Sequence, residues 1–203
     1  FNGPLYPVVY DKPSIFKTLA QDDNSFEKQF ELQSNVLYKG EVGVNSGAFE
    51  FEFYVPKDIA YNLDFGKIAY YARSGNTDAW GCYKNVIIGG FDDDALPDND
   101  GPSIDLFLND LNFANGGFTD SNPKLIAHIS DNFGINTAGQ RIGHDIALVI
   151  DGNTSQTIVL NDYYRADLDS YQSGKIEYQL SQLSVGQYSL QLKAWDISNN
   201  STT

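Results

Sequence analysis

Methionine is absent from this chain, and cysteine occurs once, at Cys82. A single thiol closes no internal disulfide, so the protein must be held by packed cores rather than by a covalent staple. Low cysteine use fits an exported bacterial protein, and the missing initiator residue implies a piece cut from a longer one. Basic residues are also scarce: 13 stand against 27 acidic ones, for a net charge of −14. That balance repels phosphate backbones and anionic lipid over most of the surface and argues against nucleic acid as a partner. No run of about 18 apolar residues exists, so no membrane insertion is expected, and the opening FNGPLYPVVY has neither the basic start nor the apolar core of a signal peptide. Only two histidines are present, which leaves little material for zinc or for imidazole catalysis.

What the chain does contain is glycine (18 residues) and aromatic rings (13 phenylalanines and 13 tyrosines), with Val, Ile and Thr throughout. Such a composition, with few long Ala/Leu/Glu/Lys runs, predicts many short strands joined by turns and little helix. A length of 203 residues suits two β-modules of about 100 residues each. The fold expected is all-β, with two immunoglobulin-like β-sandwich modules in tandem, over 1–95 and 96–203.

In the first module, Val8, Val9 and Tyr10, interrupted at Pro13, read as an edge or kinked strand. Phe49, Phe51, Phe53 and Val55 alternate with Glu50, Glu52 and Tyr54, and the turn Asn45-Ser46-Gly47 separates them from Val42 and Val44. The alternation and the turn glycine predict a hairpin. GKIAYYARS and NVIIGG supply further strands, before the acidic connector from Asp92 to Pro102. In the second module, SIDLFLND, KLIAHISD, HDIALVID, TIVLN, GKIEYQL and QYSLQLKAWD follow at sandwich spacings. The polar ISNNSTT after Trp195 reads as a turn, with the last strand missing.

Four kinds of site residue stand out. Asp92, Asp94, Asp98 and Asp100 offer hard oxygens suited to calcium, with Asp131, Asp145, Asp162 and Asp196 able to contribute if strand ends converge. The pattern does not fit a helical calcium loop, since Leu96 and Phe107 would fall at chelating positions. Apart from calcium, no cofactor is expected. Trp80 and Tyr83 in a loop, Tyr163, Tyr164 and Tyr171 near a turn, and Trp195 at a strand end could lie against sugar rings, although cross-strand packing accounts for most tyrosines in a β-protein. His144 closes the glycine-rich loop from Asn132, where its ring and the neighbouring Asp145 are read as a structural pin. Cys82 with His128 or His144 would be the sole thiol–imidazole pairings. His128 falls on the face of its strand opposite Leu125, Ala127 and Ile129, so no catalytic dyad is expected.

Beyond these separate features, a series of segments in one order carries a resemblance. LYKG, FYVPKDIAYN, GKIAYYA, VIIGGF, DGPSIDLFLND, FTDSNPKLIAHISDNFGINTAGQRIGHDI, IVLNDYYRADLDSYQSGKIEY and LKAWDISNNS cover most of the chain. Together they resemble the region after the catalytic domain in PorU-type sortases of the type IX secretion system, surface cysteine peptidases related to gingipains. The resemblance implies an extracellular, bacterial-surface location and a parent enzyme whose nucleophile lies upstream, so that no catalytic residue transfers to this chain. It further implies a role in docking or support. The partners would be other domains of the parent, secreted cargo or secretion-system components. A carbohydrate-binding or adhesive module, with glycan as partner, is the alternative.

Overall fold

The computed structural model describes residues 1–57, 59–137 and 143–203. Part of the glycine-rich loop, residues 138–142, therefore lies outside the described residues. The strands run in the order β1 (Gly3–Tyr10), β2 (Ser14–Lys17), β3 (Gln29–Leu32), β4 (Val36–Lys39), β5 (Val42–Val44), β6 (Asp64–Phe65), β7 (Lys67–Ser74), β8 (Thr77–Tyr83) and β9 (Ile87–Ile88). After the acidic connector come β10 (Ser103–Leu108), β11 (Lys124–Ser130), β12 (Ala147–Ile150), β13 (Ile158–Val159), β14 (Tyr164–Ala166), β15 (Ser173–Gln179), β16 (Leu190–Trp195) and β17 (Ser201–Thr202). The only helical turns among the described residues are two short 3-10 turns, Thr154–Gln156 and Asn161–Tyr163. None of the described helices is long and apolar enough to cross a membrane. The chain is all-β, in β-sandwich modules built from antiparallel sheets.

In the first module β1 is an interior strand, not an edge. It pairs with β7 on one side, and with β5 and then β4 on the other. Proline is tolerated at Pro7 because its ladder partner changes there: Leu5 faces Val42 of β5, Val8 faces Lys39 of β4, and the Pro7 carbonyl accepts the Gly40 N–H in between. The donor that proline lacks falls at a gap in the neighbouring strand. The expected hairpin forms only at its turn, where Asn45 bridges Ala48. Phe49 to Val55 makes no strand. Instead Phe51 and Phe53 stack on the Tyr38 ring at 5.9 and 4.7 Å between centroids, so side-chain packing rather than ladder pairing places this segment. Trp80, Tyr83 and Cys82 belong to β8, the outer strand paired with β7, where a loop was expected.

The second module is a sandwich of two four-stranded sheets, β10-β11-β15-β14 and β13-β12-β16-β17. Its core is Leu125, Ala127, Ile129, Leu148, Tyr164, Ile176, Leu192 and Ala194 from the strands, joined by Ile146 and Leu160 from the connecting segments. Each large aliphatic side chain enclosed there contributes about 1.5–3 kcal/mol. Strand β11 follows its alternation, with Leu125, Ala127 and Ile129 buried and His128 exposed. Two strands depart from expectation. β14 lies in what reads as a turn, and β17 returns along β16, with Ala194 facing Thr202 and Trp195 facing Ser201.

Candidate functional site

Asp98 sits in the connector before β10, Asp131 follows β11, and Asp196 follows β16. One carboxylate oxygen from each lies within 4.8 Å of the others. The segment after β11 brings them together by running beside the end of β16: Ile135 bridges Asp196, the Asn136 N–H donates to the Trp195 carbonyl, and the Ile197 N–H donates to the Gly134 carbonyl. The connector is tied down at the same place, because the Asn200 amide donates both to the Asp98 carbonyl and to Asp196 Oδ2. Gly101 permits this approach, since a Cβ there would stand 2.6 Å from the Ser201 carbonyl carbon.

Asp196 is fully buried. Its Oδ1 accepts the N–H groups of Ser198 and Asn200, and Asp131 Oδ1 accepts those of Phe133 and Gly134. Burial nevertheless pushes both carboxyls above the usual range; the neighbouring Asp98 carboxylate adds to this for both, and Asp131 adds to it for Asp196. Asp98 Oδ1 accepts the Asp100 N–H, whereas its Oδ2 is enclosed without any hydrogen-bond partner. Asp92 and Asp94 stand apart from this cluster and form an exposed turn closed by the Asp94 N–H on Asp92 Oδ1.

The modules meet at a second feature. Glu41 bridges Leu168, the Asp169 N–H donates to the Glu41 carbonyl, and Tyr171 packs on the first module's core around Val9, Leu37 and Tyr38. A cavity of about 450 Å³ opens there, lined by Tyr38, Glu50, Phe51, Glu52, Asp169 and Tyr171 among others. Tyr171 stood among the candidate sugar-facing rings, but the cavity itself was not legible in the sequence, because its walls come from segments more than a hundred residues apart.

The remaining nominated residues scatter. Trp80 is 86% exposed on β8 and Tyr83 is exposed beside it, while Tyr164 is buried in the second core and presents no ring face to a ligand. Tyr163 stands edge-on to Tyr178 at 4.8 Å. Trp195 packs against His144 at 4.2 Å between ring centroids, with Lys193 Nζ 4.1 Å above its ring. Burial raises the Asp145 carboxyl, and the adjacent His144 partly offsets this. Cys82 is exposed on a sheet of the first module, whereas His128 and His144 both belong to the second, His128 edge-on to Phe107.

No protein-family model matches this chain, and no curated protein matches it. Among solved structures it is similar to the crystal structure of dimeric latent PorU from Porphyromonas gingivalis, at 31% identity over 100% of this chain and a TM-score of 0.51. The chain spans 19% of the length of that PorU chain. With 31% identity in a match that covers the whole of this chain, the chain is related to a region of PorU.

Proposed function

We propose that this chain is a non-catalytic part of a type IX secretion sortase, a surface cysteine peptidase, and that it docks or supports secreted cargo while an upstream peptidase domain does the chemistry. The observation that carries this reading is the likeness to PorU along the entire chain, on a piece that is only 19% of PorU's length. The placement of Cys82 and the two histidines in different modules supports a non-catalytic role, because thiol catalysis needs an imidazole beside the thiolate. The direct test is binding of the 203-residue chain to the sorting domain of a secreted cargo protein, followed by surface plasmon resonance. Saturable binding that weakens in Trp80→Ala is expected, with no peptidase activity to be lost in Cys82→Ser. Absence of binding to cargo and to the parent's peptidase domain alike would sink the docking role.

One observation favours a second reading, glycan binding: the junction cavity sets the Tyr38 and Tyr171 rings beside the Glu50, Glu52 and Asp169 carboxylates. A glycan array probed with the chain should then show hits that disappear in Tyr171→Ala. An array without hits removes this reading.

A further inference from the structure

We propose that Asp98, Asp131 and Asp196 hold a calcium ion, which fastens the connector ahead of β10 to the ends of β11 and β16. The donor atoms come from three separate segments yet lie within 4.8 Å of one another, inside the roughly 5 Å that two oxygens on one calcium can span. Two oxygens on one magnesium reach only about 4.2 Å, and magnesium demands stricter geometry. All three donors are hard carboxylate oxygens, which suit calcium and not zinc or copper.

Independent of the clustering is the state of Asp98 Oδ2, a carboxylate oxygen enclosed by protein that accepts no hydrogen bond. An enclosed polar atom of that kind is costly unless something positive meets it. None of the lysine or arginine ion pairs among the described residues involves Asp98, Asp131 or Asp196. Asp196 contributes a fully buried carboxylate to the same point, so three acidic groups converge where no side-chain cation among the described residues pairs with them. A divalent cation supplies the missing charge and partner together. The Asn200 amide and the backbone N–H groups on Asp131 and Asp196 orient the donors, as an outer shell does in metal sites. The inference does not depend on the docking role.

The test uses the whole 203-residue chain, stripped with a chelator and dialysed. It is titrated with calcium chloride by calorimetry and with terbium by luminescence sensitised through Trp195, the neighbour of Asp196. One saturable equivalent is expected, with a dissociation constant of about 10⁻³ M or tighter. The melting temperature should rise with calcium and not with equal magnesium. Asp98→Asn and Asp131→Asn, each checked for folding by circular dichroism in chelator, should weaken calcium binding by roughly tenfold or more. The double variant Asp92→Asn, Asp94→Asn should bind as the parent does. The proposal is overturned by an absence of saturable binding, by unchanged binding in folded Asp98→Asn, or by loss confined to the Asp92 and Asp94 variant.

Discussion

The Asp169 carboxylate accepts a hydrogen bond from the Gly43 N–H at 2.7 Å, joining the two modules across 126 residues of chain. Asp169 adopts a left-handed backbone conformation, φ +58°. A Cβ on residue 43 would lie 3.3 Å from Asp169 Oδ2, close enough that the carboxylate would have to shift by a few tenths of an ångström.

Asp169→Ala, which removes the acceptor, should therefore loosen the junction. Loss of one hydrogen bond to a charged group costs about 1.5–3 kcal/mol when enclosed, and less at this exposed site, about 1 kcal/mol. Differential scanning calorimetry should show melting lowered by a few degrees, about 2–4 °C per kcal/mol at this size. Unaltered melting in Asp169→Ala would show that this bond carries none of the junction's stability and that the Tyr171 packing and the Glu41 backbone contacts hold it.

Asn161 is buried, and its side chain accepts the Ile146 N–H at 3.0 Å while donating to the Thr137 carbonyl at 3.3 Å. Replacement by alanine strands both backbone groups inside the second core, at a cost of about 1–3 kcal/mol. A urea titration should show the midpoint falling for Asn161→Ala. Asn153→Ala, which removes an exposed bond to Ser155, should move it far less. Equal midpoints for the two variants would contradict the burial argument.

Tyrosine ionisation gives a pH dependence with a definite sign. Burial, reinforced by the charge of Asp169, pushes the Tyr38 hydroxyl up to about 12, and burial with Asp167 raises Tyr164 further. Both folded values exceed the unfolded value of about 10, so the folded state keeps protons that the unfolded state releases. The stabilisation is intact below about pH 10 and is lost as pH rises toward about 12. Tyrosinate absorbance should show these two rings lagging behind the exposed ones, with unfolding overtaking them. A single titration of all 13 tyrosines near pH 10 in folded protein would refute it.

The carboxyls of Asp131 and Asp196 are raised as well, first of all by burial. For them the stabilisation is complete below the ordinary carboxylate value and declines as pH climbs through the raised folded values. In chelator, acidification from neutral pH should accordingly raise the melting temperature of the parent more than that of Asp98→Asn, which lacks one of the repelling charges. An identical pH response in the two proteins would show that the cluster is not electrostatically coupled.

The second sandwich was largely readable along the chain, because each of its strands is self-sufficient in pattern. KLIAHIS alternates Leu125, Ala127 and Ile129 against Ile126, His128 and Ser130, and the structure buries the first set and exposes His128. Reading failed where packing outweighed pattern. Phe51 and Phe53 alternate like a strand, yet their rings find Tyr38, and the backbone that would have paired with them belongs to β1 and β5 instead. Thr77 to Tyr83 lacks a clean apolar face because its sheet position is an outer one, so an exposed strand read as a loop.

Local periodicity, turn chemistry and charge thus sufficed for the all-β class, the acidic character and the individual strands of the second module, since these depend on neighbours a few residues apart. The meeting of Asp98 with Asp131 and Asp196, the bond from Gly43 to Asp169, and the burial of Tyr164 depend on which strands pair and in what register. Those choices are set by packing between segments far apart in the chain, which no short window of sequence contains, and they alone turn scattered aspartates into a site.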